Sequence, residues 1–111
     1  MDEHLVAIGD FSPASGERAA HCLLDQPDPP TAIFALNDRM AAGALHAAAS
    51  RGLRIPEDLS VVGFDDIALA SLLLPPLTTV RQSGYHLGRT AASIFFQCLD
   101  GHPPGTPAII P

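Results

Sequence analysis

The chain has 111 residues, a length for one small domain. It is 47% hydrophobic and 16% charged, with a net charge of -6 and only six lysines and arginines. Cations that neutralise phosphates supply most non-specific affinity for nucleic acid. A chain this acidic, with no basic run and few aromatics, is therefore excluded as a direct DNA or RNA contact, and an anionic membrane surface is disfavoured for the same reason.

The apolar excess has two readings: a parallel sheet covered on both faces, or apolar surface kept for a partner. Cys22 and Cys98 fall on expected helix faces and read as small buried apolar residues. His4, His21, His46, His86 and His102 show no metal-ligand spacing with either cysteine. The sequence shows no nucleophile–base pair, no metal set and no glycine-rich phosphate loop, so neither an enzyme nor a cofactor is expected. The start, Met1-Asp2-Glu3-His4, is acidic and leads into no long apolar segment, so the expected location is the cytoplasm, with no membrane partner.

In chain order, Leu5–Gly9 reads as a first buried strand. Ser12-Pro13 is a helix start, the hydroxyl capping free N–H groups and proline taking the first helical position. That helix should run to about Leu24, before Pro27, Pro29 and Pro30 hold an extended linker. Thr31–Leu36 is a second strand, and Asn37 or Asp38 caps the alanine-rich helix Arg39–Arg51. Gly52 is the expected left-handed residue past its end, with Leu53 packing back on the last turn. Leu59–Phe64 is a third strand; Asp66 caps a short helical turn, Ile67–Leu73, and Leu77–Val80 is a fourth strand. Ser83 opens a last helix, Gly84–Leu99, with Leu87, Ala91, Ile94, Phe95 and Cys98 as its inner stripe. Pro107–Ile110 is a final short extended piece. Alternating helices and strands imply an α/β fold, a parallel sheet of about four strands in right-handed βαβ units.

Each apolar run ends in polar groups: Asp10-Phe11, Asn37-Asp38, Asp65-Asp66 and Arg81-Gln82. Ligands of open parallel sheets sit at the carboxyl ends of the strands. The expected site is therefore one rim that gathers these residues. Each also has an ordinary reading: Asn37 as a helix cap, Asp65 as a turn former, Phe11 as a core residue and Gln82 as a solvated strand end. Asp65-Asp66 is weak as an acid/base dyad, since chain neighbours tend to point apart.

Three blocks resemble a known family. Pro30-Thr31-Ala32-Ile33-Phe34-Ala35-Leu36-Asn37-Asp38-Arg39-Met40-Ala41-Ala42-Gly43-Ala44 is similar to the sensor domain of LacI/GalR-type transcription regulators. So are Gly52 through Asp66, with its Leu59-Ser60-Val61-Val62-Gly63-Phe64-Asp65-Asp66 end, and Pro75-Pro76-Leu77-Thr78-Thr79-Val80-Arg81-Gln82. The resemblance extends weakly to Gly9–Gly16 and to the helix after Ser83. It implies a periplasmic-binding-protein-like (Rossmann-like) effector domain of two lobes, which holds a sugar-like or nucleobase-like small molecule in its cleft. Position by position, Asn37, Asp65 and Gln82 match ligand-contacting polar residues, Phe11 the stacking aromatic, and Arg81 lies close by.

The resemblance further implies that residues 1–82 form part of one lobe, and that 83–111 are a crossover helix and strand of the other. The family's helix-turn-helix headpiece and most of its first lobe have no counterpart in these 111 residues, so operator DNA would be met only through a headpiece absent from this chain. Two sensors of the family pair through the segments matching the alanine-rich helix and the leucine cluster. That implies a homodimer interface at Ala42, Leu45, Leu69, Leu72 and Leu73. The alternatives are a solute-binding protein fragment of the same fold, or a remnant that only dimerises.

Overall fold

The computed structural model describes residues 2–102 and Gly105. The chain divides into two compact units, one ending at Arg81 and the other starting at Gln82.

The first unit holds an α/β sheet of three parallel strands in the order β1 (Ala32–Phe34), β2 (Ser60–Asp65), β3 (Thr78–Arg81). Ile33 is in register with Val61, and Gly63 with Thr79. Helix α1 spans Pro13–Leu24 and α2 spans Asp38–Ser50. The predicted caps are in place. Ser12 accepts from the Ser15 N–H at 3.1 Å, and Asn37 from the Met40 N–H at 2.8 Å. At the far end of α2, Gly52 adopts φ 70, which lets the Leu53 N–H return to the Ala48 carbonyl at 3.0 Å. Leu53 packs against the core, as its position after the glycine implied.

The two helices touch through backbone. A Cβ on Gly43 would lie 2.0 Å from the Pro13 carbonyl oxygen, and one on Gly16 would lie 2.2 Å from that of Met40. Behind this contact Ala20, Leu23, Ala44, Ala47 and Ala48 meet Ile33, Leu59 and Val61 to form the core. Leu59 is fully buried, a contribution of about 1.5–3 kcal/mol.

Several expectations are corrected. Leu5–Gly9 is not a strand: Glu3–Leu5 is a 3-10 turn capped by Asp2, and the segment after it joins no ladder. Strand character in sequence records apolar alternation and branching, but a strand exists only with a partner, and none is seated beside this segment. The sheet therefore has three strands. It is also covered on one face only, since Phe34, Leu36 and Val80 are exposed on the other. Asp66 caps nothing; Ile67 occupies the cap position of the 3-10 turn Ala68–Leu72, and no side-chain bond is made there. Cys22 and Cys98 are free and exposed, not buried.

In the second unit, α3 spans Gly84–Leu99 as predicted, with Ser83 accepting from the His86 N–H at 3.3 Å. None of its residues is buried, so the expected inner stripe has no covering inside its own unit. The predicted extended piece Pro107–Ile110 lies outside the described residues. Among the described residues, no helix is long and apolar enough to cross a membrane.

Candidate functional site

Parallel strands place their carboxyl ends on one edge, and four of the five predicted ligand residues stand at that edge of the first unit. Asn37 begins α2 just beyond β1, Asp65 ends β2, and Arg81 ends β3 in register with Asp65. Phe11 precedes α1 and is tied to the rim by its carbonyl, which accepts from the Asn37 Nδ2 group at 3.2 Å. Gln82 opens the second unit, so the rim of the first unit is described without it.

The backbone is strained where these residues stand. Among the described residues, non-glycine positions with positive φ are Phe11 (65), Asp65 (114) and Asp66 (58). Each such conformation costs on the order of 1–3 kcal/mol and persists where surrounding structure enforces it, which is characteristic of ligand sites and switches.

Asn37 shows both readings at once. Its Oδ1 caps α2 and its Nδ2 holds Phe11, and the residue is buried. A primary amide has two donors and two acceptor lone pairs, so one of each remains for a ligand. The Phe11 ring is exposed on the same rim. Among the described residues, no hydrogen bond reaches the Asp65 carboxylate, and the residue is half-buried. Arg81 donates from Nε to Asp66 Oδ2, which neutralises Asp66 and leaves Asp65 as the free carboxylate of the pair.

Sequence reasoning missed Asp38. It is fully buried at the first position of α2, accepts from the Ile67 N–H at 2.8 Å, and accepts from the Thr79 hydroxyl. It thus binds the start of α2 to the strained turn after β2 and to β3. The doublet Asn37-Asp38 held a signal: a helix start needs one cap, so the second polar group requires another partner. Asp10 forms a smaller network beside Phe11. Its Oδ1 accepts from the Ser12 hydroxyl and from the Ser12 N–H at 3.0 Å, its own N–H donates to Ser15 Oγ at 3.0 Å, and Arg18 lies 3.8 Å away. Hydrogen bonds from Ser12, then Ser15, hold its carboxyl down to about 2, so the network is formed by the ionised group.

The residues named for pairing lie in different settings. Leu72 is exposed, Leu69 is partly so, and Ala42 and Leu73 are half-buried. Leu45 is a core residue at 8% exposure and turns toward the sheet, which leaves it little surface to offer a partner.

Residues 2–111 match the model of the periplasmic binding protein-like domain. The chain is 44% identical over 106 residues to the HTH-type transcriptional repressor CytR of Escherichia coli K12, covering 96% of this chain and 31% of CytR. It thus spans about a third of that relative's length. Among solved structures it is similar to the transcriptional regulator CelR–cellobiose complex, at 40% identity and a TM-score of 0.85, over 94% of this chain and 32% of that one. It is likewise similar to the lac repressor dimer bound to operator and the anti-inducer ONPF, at 40% identity and a TM-score of 0.79, over 85% of this chain and 33% of that one. The chain belongs to the periplasmic binding protein-like domain family, matching part of the effector-binding domain of LacI/GalR-type regulators.

Proposed function

We propose that this chain is the effector-sensing and self-pairing portion of a DNA-binding transcriptional regulator, and that its rim contacts a sugar-like or nucleobase-like small molecule. The observation that carries this reading is the strained rim itself: Phe11, Asp65 and Asp66 are all held at positive φ at the carboxyl edge of the sheet. The free Asp65 carboxylate suits two adjacent hydroxyls, the remaining donor and acceptor of Asn37 suit a further polar group, and the Phe11 ring suits an apolar C–H face or a base. Arg81 acts by holding Asp66 away from the ligand. Gln82 is proposed on the family resemblance alone. The cellobiose complex of CelR supports the sugar class.

Pairing is proposed through the exposed leucines of the Ala68–Leu72 turn, with the lac repressor dimer in support. In the intact regulator, effector closure would be coupled to DNA affinity at a distant site. With net charge -6, this stretch is not itself the DNA contact.

The test is an NMR titration of the chain with neutral mono- and disaccharides and with nucleosides. Binding with a Kd on the order of millimolar is expected, with shifts centred on Phe11, Asn37, Asp65 and Arg81. Asp65→Ala should weaken it about tenfold, a loss of roughly 1.4 kcal/mol and of the size of one hydrogen bond to a charged group. Shifts centred elsewhere, or unmoved by Asp65→Ala, would refute the assignment of the rim.

A further inference from the structure

Two helix starts and two strand ends meet at the rim of the first unit. Helix N-termini are the ordinary seats for an anionic ligand, because their free N–H groups and their dipole favour negative charge. Here those seats are filled from within. At the start of α1 the Asp10 carboxylate takes the Ser12 N–H at 3.0 Å, and it is ionised at neutral pH. At the start of α2 the buried Asp38 adds a second carboxylate beside the cap Asn37. The cations nearby are committed as well. Arg81 donates from Nε to Asp66, and Arg18 stands 3.8 Å from Asp10. Arg39 shares the outer stripe of α2 with the exposed His46 one heptad later, on the face turned away from the sheet. Asp65 keeps a half-buried carboxylate that no hydrogen bond reaches among the described residues.

We propose that the rim sorts ligands by charge: it takes neutral polyols or nucleosides and rejects their phosphate esters, because Asp65 is left unpaired while Asp66 holds the guanidinium of Arg81. The inference rests on the reading of the rim as the effector site, and it names the class of effector. A hydroxyl brings no net charge and donates to the Asp65 carboxylate. A phosphate ester brings about two negative charges at neutral pH toward Asp65 and Asp10. Phosphate sites answer such charge with a free arginine fork, and none stands on this rim among the described residues. Asp66 is therefore a positioning residue that sets specificity through Arg81. The Arg81 side chain is 83% exposed, and among the described residues Asp66 is its side-chain partner, so the pair is what keeps that guanidinium from a ligand.

The experiment titrates the whole chain by NMR with matched pairs, glucose against glucose 6-phosphate and uridine against uridine 5′-monophosphate, and reads the ratio of the two Kd values in each pair. At low salt the ester is expected to bind at least about tenfold more weakly than its parent. The ratio should shrink toward one as ionic strength rises from about 0.01 M to about 1 M, where the screening length falls from about 30 Å to about 3 Å. Asp66→Asn keeps a residue type that tolerates the left-handed backbone at φ 58. It removes the charge that neutralises Arg81, so the ratio should fall by about threefold or more. An ester that binds the same rim as tightly as its parent, or a ratio indifferent to salt, would overturn sorting by charge. A ratio unmoved by Asp66→Asn would overturn the role given to Asp66 and Arg81. Neutral parents whose shifts do not centre on the rim would refute the effector-site reading and this inference with it, a result distinct from the other two.

Discussion

Asp38 is the side chain on which the rim converges. It sits beside the cap Asn37, is fully buried, and takes donors from the turn after β2 and from β3. Truncating it leaves the half-buried Ile67 N–H and Thr79 hydroxyl without their acceptor, and a bond left unmade away from water costs more than a made one gains. Asp38→Ala should lower the free energy of unfolding by about 2–3 kcal/mol in urea titration. Asp38→Asn, which can still accept from Ile67, should cost less, and equal effects of the two would argue against the hydrogen-bonding role. The residue scale is also where sequence reasoning was most divided. Asn37 was legible because a helix start needs an acceptor at that position. Asp38 was not, because its partners lie 29 and 41 residues away. The pairing of Arg81 with Asp66 was hidden for the same reason, since only the register of β2 against β3 brings them together.

At the scale of elements, α1 and α2 were readable almost to the residue because their signals are local: Ser12-Pro13, Asn37, Gly52 and the prolines after Leu24. How closely the helices approach was not readable, since either glycine alone looks like a weak point in a helix. Gly43→Ala tests this. Alanine is about 1 kcal/mol better than glycine in a helix interior, yet here its Cβ would lie 2.0 Å from the Pro13 carbonyl oxygen and 2.6 Å from the Glu17 nitrogen. Those are backbone atoms and cannot swing aside, so overpacking, typically 1–3 kcal/mol, outweighs propensity. Thermal unfolding of Gly43→Ala should show a lowered midpoint; a raised one would mean that the helices separate freely.

For the whole molecule, the apolar excess of the composition divides into a small alanine-rich core and a large exposed remainder. Phe34, Leu36 and Val80 on the open sheet face and Leu72 beyond it leave apolar surface of the kind partners cover. If the Ala68–Leu72 turn carries self-association, Leu72→Glu removes about 1.5–3 kcal/mol of burial at each copy of the contact. With two copies in a symmetric dimer, sedimentation equilibrium should then show dimerisation weakened by about two to four decades. Unchanged sedimentation would place the contact elsewhere.

What the sequence determined by itself was what depends on neighbours along the chain: the boundaries of α1 and α2 with their caps Ser12 and Asn37, the apolar runs with the polar groups that end them, and the family blocks. Tertiary structure alone decided which runs became strands. Leu5–Gly9 has the composition of one and remains unpaired, because a strand's hydrogen bonds are supplied by another segment. The same dependence on distant partners fixed the roles of Asp38 and Asp66, and left one face of the sheet open.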